Sequence, residues 1–341
     1  MKFTLSNKFK VIIIGLVLIG IFYTCIYFKF IIPSADIQQY KDYYALKTTE
    51  KNLNKSGVKC TFLGTSSLFF DDGNTQLMID GFISRPSLSK ILPFRMIKTD
   101  MDAVNKTFNK IAVDNNKLQG LFIAHTHYDH ALDLAYIAKK TGTHVYGSES
   151  AINIGLGASI NKKQMSVYEV NKAMQFGDFT VTVLQSRHSP TFDAGEKIIA
   201  LLKQPAKVLD YHEDSSYDFL IKHNDKTILI KPSASYIERA FDDIRADFLF
   251  LGMGGLGDQD KAFQNKYYEQ TVRKVQPKLI IPIHWDDFTK PLTDTLEAMP
   301  KFADNTKEGL DFVIQKTKVD KIDFQILQGL QSIYLYKNQG F

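Results

Sequence analysis

The most prominent feature of the hydrophobic pattern is an uncharged apolar run near the N-terminus, at residues 11–28. At the rise of an α-helix, about 18 residues are just enough to cross the hydrocarbon core of a membrane. Lysines flank the run on both sides, with more before it, which favours a cytoplasmic N-terminus and an extracytoplasmic body. A cleaved secretory signal is the weaker alternative, because the run is long and no small-x-small site closes it. We therefore expect a signal-anchor, one transmembrane helix within residues 1–33.

After a polar stretch at 34–57, predicted as a helical or loose linker, the chain alternates between strand-like and helix-like patterns. The strands on either side of the predicted helix at 131–140 would run parallel, as in α/β proteins. Strands are predicted at 58–63, 68–70, 76–79, 118–124, from 145, and at 180–184, 217–221, 227–230, 248–251 and 279–283. Helices are predicted at 101–113, 131–140, 236–244 and 261–275, followed by two more helices and a final hairpin within 321–336. We expect residues 58–341 to form the main domain.

Composition and charge narrow the class of protein. The 341-residue chain is 44% hydrophobic and 23% charged, which is typical of a globular protein. Its formal charge is +5, but four lysines lie in the first 33 residues, so the remainder is close to neutral. A near-neutral body offers no electrostatic basis for binding nucleic acid. Cys25 and Cys60 lie far apart in sequence, and no intrachain disulfide is expected.

Histidines and one aspartate gather where predicted strands end, which is where α/β proteins build their sites. Four of these side chains fall within six residues, directly after an apolar run at 121–124. Neutral imidazoles with a carboxylate suit zinc, and also iron or manganese. We predict one or two zinc ions, with Mn or Fe as alternatives. The candidate ligands are His125, His127, Asp129, His130, His188 and His284.

The spacing His-x-His-x-Asp-His resembles the signature of the metallo-β-lactamase superfamily. The resemblance covers residues 58–336, and the stretch from 61 to Asp80 is similar to the family's opening strands and first motif acid. It implies an α/β fold, a four-layer αβ/βα sandwich with helices outside two mixed sheets and metals at one sheet edge. In that fold Asp80 would orient a ligand. The implied ligands are His125, His127 and His188 for a first metal, and Asp129, His130 and His284 for a second.

One feature of that family is missing from this chain. After the strand at 227–230, the family usually supplies an aspartate that bridges the two metals, whereas this chain has Lys-Pro-Ser-Ala-Ser at 231–235. Ser233 is the best match to the missing position, and its hydroxyl is a weak neutral ligand. Because a negative charge between the cations is lost, we expect a weaker second site or a single metal.

The resemblance implies hydrolysis by a metal-bound hydroxide, with Asp129 as the catalytic residue that orients it. We expect an ester, lactone or similar bond in a small-molecule or lipid substrate. Substrate contacts are expected from the long loop at 82–99, through Arg85, Phe94 and Arg95, and from His212. Two alternatives stay open. One is a lipid phosphodiesterase that resembles the N-acyl-phosphatidylethanolamine phospholipase D branch, and the other is a non-catalytic metal-binding protein.

Overall fold

Two β-sheets packed face to face form the body of the protein. The computed structural model describes residues 7–27, 31–45, 57–190, 195–213 and 215–335. The first sheet comprises β1 Val58–Phe62, β2 Leu68–Asp71, β3 Gln76–Ile79, β5 Leu118–Phe122, β6 His144–Gly147, β7 Met165–Val167 and β16 Ser332–Leu335. Within the described residues its spatial order is β16-β1-β2-β3-β5-β6-β7. The sheet is mixed, because β3, β5, β6 and β7 run parallel and the other neighbours are antiparallel.

The second sheet is mixed in the same way. It comprises β8 Ala173–Phe176, β9 Phe179–Ser186, β11 Ser216–His223, β12 Lys226–Lys231, β13 Phe248–Gly252, β14 Leu279–Ile283 and β15 Asp323–Phe324. Its order over the described chain is β15-β14-β13-β12-β11-β9-β8, with parallel pairing from β12 to β15. A separate ribbon pairs β4 Met96–Ile97 with β10 Ala206–Lys207 and so ties the predicted loop at 82–99 to the body.

The core between the sheets is built from alternate strand positions. In β2, Leu68 and Phe70 belong to the apolar cluster between the sheets, whereas Phe69 belongs to the cluster under the outer helices. This is the two-residue period of a strand that is buried on both faces. Aromatic rings meet across the gap, with centroids 6.1 Å apart for Phe70 and Phe250. The ends of both sheets are therefore held in fixed relative positions.

Helices cover the outer faces of both sheets. The first sheet carries α2 Met101–Ile111, α4 Leu134–Thr141 and α5 Glu149–Gly157, while α6 Lys261–Tyr268 and α7 Thr306–Asp320 pack on the second. The Asp100 side chain caps α2 by accepting the backbone N–H of Ala103, and Val104, Phe108 and Ile111 form its buried stripe. The single turn α3 Tyr128–Ala131 lies at the histidine motif. The predicted α/β sandwich is confirmed.

The prediction of a transmembrane helix is wrong. Helix α1 comprises Asn7–Ile26, but over the part of the chain that the structure describes, no helix has the length and apolar content needed to cross a membrane. The physical reason is length. The helix begins with Asn7, Lys8 and Lys10, which leaves fewer than the roughly 20 apolar residues that a span takes. The predicted membrane anchor and the predicted extracytoplasmic location both depended on that span, so they lose their support.

The predicted linker packs on the body where the structure describes it. Ser34 donates its backbone N–H to the carbonyl of Met299 at 2.8 Å, and Lys301 donates to Ile32 at 3.1 Å. A short 3-10 helix at Ile37–Tyr43 follows, and Ala45 donates to Ile326 at 3.1 Å. Residues 46–56 of the predicted linker lie outside the described residues. The segment 31–45 therefore forms a strap across the C-terminal part of the chain.

Three secondary-structure predictions are wrong. Of the two helices predicted between the strand at 279–283 and residue 321, the described residues contain one, α7. The segment at 236–244 forms turns instead of a helix, and Arg239 there has a φ of 64°, which a right-handed helix does not admit. The predicted final hairpin is absent from the described residues, because Asp323–Phe324 pairs with β14 and Ser332–Leu335 pairs with β1 in the other sheet. The second pairing brings the C-terminal strand beside the first strand of the domain.

Candidate metal centre and cavity

Three histidines form the first group of candidate ligands. His125 and His127 follow β5, and His188 follows β9 of the other sheet. The ring centroids of His127 and His188 are 4.7 Å apart, as are those of His125 and His188. One ligand atom from each ring lies within 4.8 Å of the other two. The facing sheets thus bring together three side chains that lie up to 63 positions apart in the sequence.

Asp129, His130 and His284 form the second group, with ligand atoms again within 4.8 Å of one another. Asp129 Oδ2 lies 3.2 Å from His284 Nε2 and 3.5 Å from His130 Nε2. Asp129 and His130 lie on the turn α3, while His284 follows β14 and has a φ of 58°. The structure brings together the six predicted ligands as two adjacent triads; their role in binding metal stays a prediction.

Asp80 holds one of these histidines in place. Its Oδ2 accepts a hydrogen bond from Ser66 at 2.5 Å and lies 2.8 Å from His130 Nδ1, while its Oδ1 accepts the backbone N–H of Ala124 at 2.7 Å. The contact at Nδ1 leaves His130 Nε2 pointing toward Asp129. A carboxylate behind a ligand imidazole fixes its orientation and tautomer. Asp80 also ties that histidine to the strand end before the motif.

Burial sets the charge of the first triad. It holds the pKa of His125 well below its ordinary value, and the neighbouring His130 and His188 rings lower it further. Burial also lowers the pKa of His127 to about 4 and that of His188 to about 3. All three imidazoles are therefore neutral at pH 7. Neutral rings are the form that a metal ion requires, so little proton release opposes binding at that pH.

In the second triad, neighbouring charges outweigh burial in setting the pKa values of Asp129 and His130. Burial by itself would raise the pKa of Asp129, but the neighbouring His130 and His284 outweigh it and hold that pKa below its ordinary value. For His130, burial lowers the pKa, but the carboxylates of Asp80 and Asp129 outweigh it and raise the pKa. Asp129 is thus an anion at neutral pH, placed among nitrogen ligands.

The unsatisfied atoms of the site fit a metal ion. Among the described residues, His125 Nδ1, His125 Nε2 and His130 Nε2 are buried without a hydrogen-bond partner. Buried polar atoms are nearly always paired, so several bare nitrogens facing one another need an explanation. A bound cation would explain the unpaired nitrogens that point into the triads. The five imidazoles and one carboxylate form a donor set that suits zinc, manganese or iron.

Comparisons with known proteins agree with this geometry. Residues 60–197 match the family profile described as "Metallo-beta-lactamase superfamily". A protein named UPF0173 metal-dependent hydrolase from Exiguobacterium sp. is 27% identical over 175 residues, which are 49% of this chain and 68% of that one. A protein of the same name from Staphylococcus aureus strain JH9 is 22% identical over 234 residues, covering 68% of this chain and 87% of that one.

Solved structures share the fold. A possible metal-dependent hydrolase from Veillonella parvula superposes with a TM-score of 0.52 at 14% identity, covering 82% of this chain and 100% of that one. The metallo-beta-lactamase fold protein YhfI from Bacillus subtilis gives a TM-score of 0.51 at 15% identity, with the same coverage. The chain has the fold of the metallo-β-lactamase superfamily. The profile match and the relatives together identify it as a metal-dependent hydrolase of that superfamily.

A cavity of about 640 Å³ is lined by members of both triads of the hydrolase. His127 and His188 contribute from the first triad, and Asp129 and His284 from the second. The remaining lining is largely apolar and comes from several loops. It includes Leu88, Ile91, Val208, Leu209, Phe288, Met299 and Phe302. The candidate metal centre is therefore open to a ligand on a side that favours apolar groups.

Ser233 is the predicted match to the missing bridging acid, and that match stays a prediction. Ser233 is buried and lines the cavity. Just before it, Lys231 is buried and its Nζ lies 3.1 Å from Asp218 Oδ2 and 3.2 Å from Ser186 Oγ. Burial raises the pKa of Asp218, while Lys231 opposes the rise. The Lys231–Asp218 ion pair lies outside the cavity lining.

The structure corrects the predicted substrate contacts of the loop at 82–99. Arg85 is 3% exposed and forms an ion pair with Asp286, which also accepts the backbone N–H of Thr65 at 2.8 Å. Gly64 gives the guanidinium room, since a Cβ there would collide with it. Phe94 and Arg95 are exposed and lie outside the cavity lining. The loop instead contributes Leu88 and Ile91.

His212 does line the cavity, as the sequence analysis expects of a substrate contact. Its side chain is exposed, and its carbonyl accepts a hydrogen bond from Thr126 in the histidine motif. One cavity residue escaped the sequence reasoning. Asp304 lies just before α7, where an aspartate resembles an ordinary helix-capping residue, and no local pattern distinguishes it from one.

Proposed function

We propose that this protein hydrolyses an ester or lactone whose acyl part is apolar. The observation that carries the proposal is the two ligand triads in the wall of a largely apolar cavity. A divalent cation bound there would bring the pKa of a water molecule to about 7 and stabilise negative charge on a carbonyl oxygen. Zinc is the proposed metal, with manganese and iron as alternatives.

Asp129 orients the attacking water in this proposal. Its carboxylate lies at the cavity wall between two histidines and stays ionised at neutral pH, so it accepts a hydrogen bond and directs a lone pair toward the substrate. A carboxylate with a lowered pKa is a poor proton acceptor, so its contribution is orientation more than removal of the proton. His130 is held in turn by Asp80.

The apolar wall supports the choice of substrate. Ile91, Leu209 and Phe288 bound the cavity with aliphatic and aromatic surface, which favours an alkyl chain or ring over a charged headgroup. A lipid phosphodiesterase is less well supported. The guanidinium of Arg85, which would have bound a phosphate, is neutralised by Asp286 instead. Phosphodiesters are therefore included in the test as the competing substrate class.

The test combines elemental analysis with a substrate panel of alkyl esters, lactones, phosphodiesters and phospholipids. We expect the wild-type protein to retain one or two zinc ions and to hydrolyse the esters or lactones. His127→Ala should lose metal and at least about 100-fold in kcat/KM. The matched control is His144→Gln, because His144 contacts Ser166 at a strand far from the cavity. Its metal content and activity should equal those of the wild type.

Three outcomes would overturn the proposal. Undiminished hydrolysis by His127→Ala would separate the activity from this site. Turnover of phosphodiesters alone would show that the protein is a phosphodiesterase. Retained metal with no turnover of any substrate would support the non-catalytic alternative.

A further inference from the structure

Asp304 is a buried carboxyl group in the wall of the same cavity. It is 4% exposed and lies between the cavity residue Ala303 and the cap of helix α7. The backbone N–H of Gly255, another residue of the wall, donates to its carboxylate. Among the described residues, Asp304 Oδ1 is buried without a hydrogen-bond partner. Asp304 is therefore a residue of the wall of a cavity where a substrate would bind, and one of its carboxyl oxygens is left unpaired.

The surroundings of Asp304 favour its protonated form. Burial raises the pKa of this carboxyl to about 7, and the charge of Asp258 adds to the rise. The backbone N–H groups of Gly255 and Asn305 and the charge of His284 oppose it. A carboxyl group that keeps its proton near neutral pH is suited to act as a general acid.

Other acidic groups of the cavity are less suited to donate a proton. Tyr211 lines it, but burial raises the pKa of its hydroxyl above the ordinary value for tyrosine. A phenol that holds its proton more tightly is a weaker acid at neutral pH. His212 is exposed at the cavity edge. Among the described residues of this wall, Asp304 is thus a buried carboxyl group that combines an unpaired oxygen with a raised pKa.

We propose that Asp304 is the catalytic acid that protonates the leaving oxygen of the substrate. This proposal rests on the proposed ester or lactone hydrolysis. The oxygen of the attacking water forms a bond to the acyl carbon, and the bond from that carbon to the leaving oxygen breaks. The carboxyl proton of Asp304 moves to the leaving oxygen, so an alcohol departs and not an alkoxide. The water gives one proton to solvent, Asp304 recovers one from solvent, and one water is consumed overall.

The experiment compares two esters with the same acyl group in the metal-loaded, full-length protein. Ethanol as a leaving group needs a proton, whereas 4-nitrophenolate departs without one. For Asp304→Asn, we expect kcat on the ethyl ester to fall about 100- to 10,000-fold, as for the loss of a general acid. On the 4-nitrophenyl ester it should change less than about 3-fold. Asp304→Glu should restore part of the activity on the ethyl ester.

The pH profile and a matched control complete the design. Wild-type turnover of the ethyl ester should decline as the pH rises through neutrality, and this decline should be missing from the residual activity of Asp304→Asn. Asp294→Asn changes an exposed aspartate that pairs with Lys110 at the surface, and it should leave both substrates unaffected. An infrared band of a protonated carboxyl group, present at pH 6 in the wild type and missing in Asp304→Asn, provides a readout independent of turnover.

Several results would overturn the assignment. If Asp304→Asn loses activity equally on both esters, Asp304 supports the structure of the site and does not donate the proton. If Asp304→Asn is as active as the wild type on both esters, water or His212 donates the proton. Absence of the infrared band would show that Asp304 carries no proton to give, whatever the activity. A wild-type enzyme that hydrolyses neither ester would refute the proposed function itself, and this is distinct from an active enzyme with an indifferent Asp304.

Discussion

Replacing Asp304 with asparagine should stabilise the protein relative to the wild type, increasingly so as the pH rises from 5 to 8. Burial and the charge of Asp258 raise the pKa of this carboxyl from 3.8 to about 7 in the folded state. Folding thus favours the protonated form. The stabilisation from that proton is fully present below pH 3.8 and is lost as the pH rises through about 7.

The size of the effect follows from the shift in pKa. One unit corresponds to about 1.4 kcal/mol, so a shift of about three units amounts to a loss on the order of 4 kcal/mol at high pH. The loss of stability begins when the unfolded chain ionises near pH 3.8 and ends when the folded form ionises near pH 7. About 2 to 3 kcal/mol of that loss therefore falls between pH 5 and pH 8. Asparagine does not ionise, so the variant escapes this loss.

The assay is urea unfolding of both proteins at unit steps of pH, with a chelator present because a bound cation would lower the pKa of a nearby carboxyl group. The quantity of interest is the difference in unfolding free energy between variant and wild type, in which the titration of all other groups cancels. Asp294→Asn, which changes an exposed aspartate paired with Lys110, should show no such gain with pH. A difference for Asp304→Asn that stays constant from pH 5 to pH 8 would refute the reasoning.

Three further changes test the site and its support. Asp80→Asn removes the carboxylate behind His130 and should weaken metal binding about 10- to 100-fold in a chelator competition assay. An unchanged metal affinity would count against the positioning role of Asp80. Lys231→Met should cost about 3 to 5 kcal/mol in urea unfolding because it strands a buried Asp218, and adding Asp218→Leu should recover most of the loss. A double variant no more stable than the single one would contradict this. Ser233→Asp should increase the number of zinc ions retained after dialysis, and an unchanged count would show that this position does not bridge.

The clustering of the six candidate ligands could be predicted because its information is local. His125 to His130 lie within a few residues of a buried strand, and the rule that sites form at the carboxyl ends of strands then places them. The same rule applies to His188 and His284, each of which closes a strand of the second sheet. No knowledge of the pairing between distant strands was needed to expect these side chains near one another.

Arg85, Phe94 and Arg95 lie outside the cavity lining, and the sequence could not indicate this because the information is not local. Whether Arg85 faces solvent, substrate or a buried partner depends on Asp286, which lies 201 positions away and arrives through a separate strand. Likewise, the pKa of Asp304 depends on Gly255 and Asp258, which approach it from another loop. The last two strands were misassigned for the same reason, since pairing across sheets is decided by the packing of the whole domain.

The strap formed by residues 31–45 makes a segment that precedes the first strand necessary for the shape of the cavity. Pro33 bridges to Pro300, and Ser34 and Ile32 hold Met299 and Lys301, so the chain that walls the cavity is buttressed from outside both sheets. A protein shortened to begin at Gly57 would keep every candidate ligand but lose this buttress. Its binding pocket, and with it the choice of substrate, would change while its metal content did not.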